Sequence, residues 1–246
     1  MHAWLAHGYH LAQFGLHVLL HPLWRAPLAA GLVAGLGRLV GLGKSPRGAA
    51  VVACGAALAG WGVLYPPFLA MPPPPVGRLP GLAVIVGLEA WWLGARPVRL
   101  GGVALAGTAA AGAWWLRGAP LDGPAILNCM PVFLGLAAAL PLARWLARDD
   151  RGWGGVVAAV VLAGSLLVTG AAVHWARAAV VVAVAALALL GVDAAGAIAG
   201  LVVMVAAATI VASDRGRLIP VDIACLAPLP AWALVRRIPR RKPGRK

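Results

Sequence analysis

Apolar positions dominate this chain from Ala26 onward, and polar residues interrupt them at intervals of roughly one membrane-crossing helix. The longest stretch, Trp153 to Ser213, is built of Val, Ala, Leu and Gly. Within it only His174, Arg177 and Asp193 readily carry charge. At 1.5 Å per residue it amounts to about 90 Å of helix, or about three crossings of a hydrocarbon core about 30 Å thick. No soluble domain of this size needs so continuous an apolar surface. The pattern predicts an all-α fold, a polytopic integral membrane helix bundle of about eight to ten short transmembrane helices.

Residues 1–25 differ from the rest. They hold five of the 6 histidines and have neither a basic leader nor a clean apolar run, so a cleaved signal peptide is not expected. On a helix, His7, His10, Phe14, His17 and His21 share one face, with Leu5, Leu16, Leu19 and Leu23 opposite. That predicts an amphipathic helix, lying at the interface or packed as a further span.

Residues 26–235 are the predicted bundle. Spans are expected over Ala26–Gly43, Gly48–Tyr65, Leu79–Ala95, Leu100–Leu116, Ala125–Trp145 and Trp153–Trp175. Ala178–Ala212 would be about 52 Å as one helix, too long for a single crossing, and is expected to break at Gly191-Val192-Asp193. Leu218–Val235 carries Pro220, Asp222, Pro228 and Pro230, and reads as a broken ninth span or an interfacial segment. The Pro-rich loop 66–80, with Pro72 to Pro75 consecutive, reads as a stiff spacer. Trp91-Trp92 and Trp114-Trp115 close successive spans and are each followed by Arg, as aromatic belts at opposite interfaces would require. Gly31–Gly35 and Gly37–Gly41 have spacings that permit close helix packing.

Composition agrees with the pattern: 62% of residues are hydrophobic and 11% charged, against about a quarter charged in soluble domains. The net charge of +14 could point to nucleic acid, but its distribution does not. Seven of the 21 basic residues lie in the tail 236–246, and most others lie between apolar runs. That is how loop charge facing anionic headgroups is arranged. With nine spans and the histidine helix outside, Arg25, Arg78, Arg117, Arg177, Arg215 and Arg217 fall on one face. The remaining basic residues fall on the other, so the C-terminus is expected in the cytoplasm. Abundant Ala, Gly, Val and Arg with little Lys fits a GC-rich bacterial genome and an inner-membrane location. Cys54, Cys129 and Cys225 lie in apolar surroundings without CxxC spacing and imply no disulfide framework.

Four features could carry chemistry. His7, His10, His17 and His21 have the spacing that a metal or haem site on one helix face needs, although a wet interfacial face explains them as well. Glu89, the only glutamate, lies four residues before the end of its span. Asp193 lies in the middle of the longest apolar run. An ionisable side chain in a span is costly, which makes both candidates for substrate binding or proton coupling; Asp193 could equally cap a turn. His174 and Arg177 beside Trp175 read first as an interfacial anchor. The Asp149-Asp150 loop lacks the spaced aspartates of a Mg²⁺-dependent lipid transferase. No phosphate-cradling loop, HExxH, GxSxG or nucleic-acid module is present.

The expected function is that of a small permease or transporter-like protein for a small or amphiphilic solute, leaning away from an enzyme. The alternatives are a membrane-embedded enzyme on a lipid-linked substrate, using the N-terminal histidines, His174 and Asp122, and a non-catalytic assembly or anchoring subunit. Expected partners are anionic lipid headgroups at the tail and a membrane-protein partner or second copy, with no nucleic acid.

Overall fold

The computed structural model describes residues 24–65, 74–93, 101–148, 153–169, 171, 173–213 and 220–237. The expected histidine helix, with His7, His10, His17 and His21, lies outside them, as do most of the proline loop and the tail from 238 onward. The described residues are all-helical, 87% helix, with no strand among them. Its helices are α1 (Arg25–Leu39), α2 (Pro46–Leu64), α3 (Leu79–Leu93), α4 (Gly101–Leu116), α5 (Gly123–Leu127) and α6 (Met130–Ala147). They continue with α7 (Trp153–Val168), α8 (Val173–Ala188), α9 (Ala195–Ser213), α10 (Pro220–Leu226) and α11 (Pro228–Arg237). Among the described residues, three stretches are long and apolar enough to cross a membrane: α2, the α5–α6 run Gly123–Ala147, and α9.

Local chemistry sets the boundaries. Ser45 caps α2 by accepting a hydrogen bond from Gly48 N–H at 3.0 Å, and Pro46 takes the first helical position, where no N–H is required. Asp122 caps α5 in the same way, accepting from Ala125 N–H at 3.3 Å. Between α8 and α9 the chain turns through Gly191, whose φ of 81° lies in the left-handed region. The long apolar run thus breaks where expected. The preceding boundary does not fall where expected: α7 stops at Val168, and Ala171 N–H reaches back to Leu166 O to close its end. His174, Trp175 and Arg177 therefore open α8 instead of closing the previous helix. The last segment is two helices, because Pro228 and Pro230 cannot continue α10 but are tolerated in the first turn of α11. Both pack into the bundle, α11 against α7 and α10 against α9.

Helix α9 is the hub. It touches α2, α3, α6, α7, α8 and α10. Its sequence is apolar on every face, the mark of a helix surrounded by others. Small residues let the neighbours approach: a Cβ on Gly200 would lie 2.9 Å from Val86 Cγ1 on α3. Of the paired glycines on α1, Gly31 faces Val184 on α8 and Gly37 faces Val52 on α2, whereas Gly35 meets nothing. Trp61, fully buried, donates its indole N–H to Ala178 O at 3.0 Å and ties α2 to α8.

Contacts identify two ends. At one, Arg38 donates to Ala188 O and Leu190 O, and Gly43 approaches Val192. Lys44, Arg47, Arg144 and Arg148 belong to this basic end. At the other end Trp115 donates to Arg78 O at 2.8 Å and Ser213 to Asp222 at 3.2 Å. Arg25, Arg78, Arg117 and Arg177 belong to that opposite end. The two Trp pairs lie at different ends, Trp91 half-exposed near the end of α3 and Trp114 near the end of α4.

Candidate functional site

Glu89 lies on α3, one turn before its end, on the face turned inward. Its carboxylate is almost fully buried, and Arg144 on α6 reaches it, Nη2 lying 2.8 Å from Oε2. The two groups are in ion contact, and beyond that contact neither Glu89 oxygen, nor Arg144 Nε or Nη2, has a hydrogen-bond partner. Burying two charges is stabilising only when further hydrogen bonds satisfy them. No further hydrogen bond of that kind reaches this pair's buried oxygens. Arg144 is the more exposed member, at 18% against 2% for the carboxylate, and forms the pair's route to the basic end.

Two other helices frame the pair. On α2, Cys54 packs against α3 at Gly87, where an added Cβ would lie 3.2 Å from Cys54 Cβ. On α9, Gly196 leaves room for the guanidinium, since a Cβ there would lie 3.2 Å from Arg144 Nη1. On α6 itself Pro141, one turn before Arg144, removes the N–H that would bond Ala137 O and loosens the helix there. The pair thus joins α3 to α6, a sparsely buried helix.

Asp193 is placed differently from Glu89. It is exposed, in the Gly191–Ala194 turn, where Ala194 N–H bonds Val192 O. It precedes Gly196 by three residues, so it belongs to the same end of the molecule as the Arg144 guanidinium. Asp122 caps α5 at the opposite end. His174 stands there too, edge-on to Tyr65 with ring centroids 6.2 Å apart and beside Trp175 at 5.2 Å. Burial pushes the Tyr65 hydroxyl up to about 12, with Arg177 pulling against it. Among the described residues no three His, Cys, Asp or Glu side chains come together in a way that could hold a metal ion.

A second feature is a cleft of about 340 Å³ between α6, α9 and the α10–α11 hairpin. Its walls are Val, Ala, Leu and Ile, with Trp232 and Cys225 from the hairpin. Arg117 is the one charged side chain among the described residues that line it.

Glu89 is legible in the sequence as the ionisable residue of an apolar run. Arg144 is not, because the neighbouring Arg148, Asp149, Asp150 and Arg151 make it read as loop charge. The one available signal is its place four residues N-terminal to that cluster, within the last turn of the helix. No family model matches the chain, and no curated protein or solved structure is similar to it.

Proposed function

We propose that the chain is a multi-pass inner-membrane protein of permease type, in which Glu89 couples a proton or substrate charge to movement of α6 through Arg144. The observation that carries this reading is the buried, incompletely hydrogen-bonded Glu89–Arg144 pair beside the hub helix. In this reading the shorter apolar helices cross the membrane together with the three long ones. The ends alternate sides, and the basic end faces the cytoplasm.

The coupling follows from charge conservation at the pair. Arginine keeps its proton at any physiological pH. A proton arriving on Glu89 therefore leaves the guanidinium without its counter-charge in a poorly solvated place. Arg144 then moves outward to water or headgroups, or takes an anionic group of the solute. Pro141 gives α6 the local freedom to follow. Loss of the proton restores the pair. Asp193, exposed near the same end, is the surface group through which protons are exchanged with solvent. A scaffold ion pair would need the same contact but would gain nothing from its missing hydrogen bonds.

Proteoliposomes with a trapped pH-sensitive dye test the proposal, with decyl sulfonate and decyltrimethylammonium as single-chain solutes of opposite charge. The wild type is expected to move protons with one of them. Glu89→Gln is expected to fall to the rate of protein-free vesicles, and Asp193→Asn to slow the flux several-fold. Wild-type vesicles that match protein-free vesicles for both solutes would sink the permease reading, as would a fully active Glu89→Gln.

A further inference from the structure

Two glycines on the hub helix set the level of the Glu89–Arg144 pair. A Cβ on Gly200 would lie 2.9 Å from Val86 Cγ1 on α3, and one on Gly196 would lie 3.2 Å from Arg144 Nη1 on α6. Gly196 and Gly200 are four residues apart and share one face of α9; Val86 and Glu89, three apart, share one face of α3. The end of α3 and the start of α9 meet there, so the two helices run in opposite directions. Glu89, Arg144 and Gly196 therefore stand side by side. Asp193 precedes Gly196 by three residues and lies beyond it, at the exposed mouth of the seam.

Three residues of chain span at most about 11 Å, and here the span is shorter. Ala194 N–H turns back to Val192 O, and Ile198 N–H already bonds Ala194 O as the helix begins. Among the described residues no group pairs with the Asp193 carboxylate. The other described aspartates, Asp122 and Asp222, belong to the opposite end. Besides Glu89, Asp193 is thus the one described carboxylate at the end where Arg144 lies. The position of Arg144 favours that direction. Its Nε and Nη2 are enclosed, so the 18% exposure of the side chain falls on its other atoms. Its Nη1 faces Gly196, where the missing side chain leaves a notch along α9. Cys54 approaches the seam from α2 at Gly87, but a thiol is too weak an acceptor to hold a guanidinium.

We infer that Asp193 is a second seat for the Arg144 guanidinium: with Glu89 ionised Arg144 stays on Glu89, and with Glu89 neutral it swings past Gly196 onto Asp193. Opposite charges attract more strongly inside the bundle than at its wet mouth, so ionised Glu89 holds Arg144 first. One proton passes from water to a Glu89 oxygen, and one ion contact breaks as the other forms. Asp193 is in this sense a positioning residue, acting on the pair through Arg144. Each state of Glu89 then fixes one of two places for the guanidinium, which is never left bare. The inference rests on Glu89 as the proton-carrying group and goes beyond that reading by naming where Arg144 goes.

The test is a mutant cycle read by thermal unfolding of the full chain in one detergent at neutral pH. Asp193→Asn is made in three backgrounds: wild type, Glu89→Gln, which resembles the neutral acid, and Glu89→Leu, which gives the guanidinium no acceptor. Whatever Asp193 contributes to the start of α9 is common to all three and cancels between them. Asp193→Asn should lower the midpoint by about 2–4 °C more in each Glu89 background than in the wild type, the size of one ion contact in a chain of this length. Asp193→Glu, which keeps the charge, should not show this extra loss. Adding Arg144→Met to either background should abolish it, since no guanidinium is left to receive. The same loss in all three backgrounds would overturn the inference and leave Asp193 a turn residue. An extra loss that persists with Arg144→Met would overturn it equally. The cycle reads stability without flux, so an inactive protein can still show the coupling and an active permease can lack it; the two readings fail separately.

Discussion

Removing one member of the Glu89–Arg144 pair leaves the other charged in a place water barely reaches. Arg144→Met should therefore cost about 3 kcal/mol or more of stability, because the carboxylate keeps its burial and loses its counter-charge. Glu89→Leu combined with Arg144→Met should recover most of that loss, since two apolar side chains need no partners. Unfolding of the four proteins in one detergent measures the coupling, and a double variant no more stable than Arg144→Met would mean the pair is not energetically linked. A second prediction concerns Tyr65. Its hydroxyl is held neutral up to about 12, above the ordinary 10. From pH 10 upward the unfolded chain loses this proton and the folded one does not, so stability falls as pH rises through that window. Tyr65→Phe should make the fall less steep. At this scale a lone carboxylate in an apolar run was readable from the sequence. Its partner was not, because pairing joins α3 to α6 across the fold and no local pattern records it.

Helix boundaries were readable where backbone chemistry is strong and unreadable where it is weak. The break at Gly191 follows from length, since the run Ala178–Ala212 exceeds one crossing, and from a glycine able to take positive φ. Gly191→Ala should cost about 1–2 kcal/mol for the left-handed strain, with little other effect, since a Cβ there meets nothing within 4 Å. Gly200 is the contrasting case: its φ is ordinary, but a Cβ would press on Val86 Cγ1 at 2.9 Å, so Gly200→Leu should push α9 from α3 and destabilise more than Gly191→Ala. Thermal unfolding of the two variants side by side checks the order. The end of α7 was misplaced because Thr169 and Gly170 are weak stop signals inside an apolar run. The prolines of the last segment were strong signals, and they split it as their missing N–H groups dictate.

For the molecule as a whole, the pattern of apolar runs was enough to read an all-helical protein, because helices alone satisfy every backbone group within one apolar segment. The cleft was not readable: its walls are the same Val, Ala and Leu that would face lipid, and only packing separates the two. Orientation stands between these cases, since it rests on which basic residues share an end. Lys44 is exposed in the turn after α1 at the basic end, and Leu121 is 90% exposed before α5 at the opposite end. The native cysteines, Cys54, Cys129 and Cys225, are all buried, so they give little background to a thiol reagent. In intact cells a membrane-impermeant maleimide should label Leu121→Cys, and should label Lys44→Cys only after the membrane is opened. The reverse result would turn the protein over, placing the basic end outside against the positive-inside bias. Labelling of both positions from outside would remove the alternation of ends across the bilayer, and with it the barrier that a Glu89-coupled permease must span.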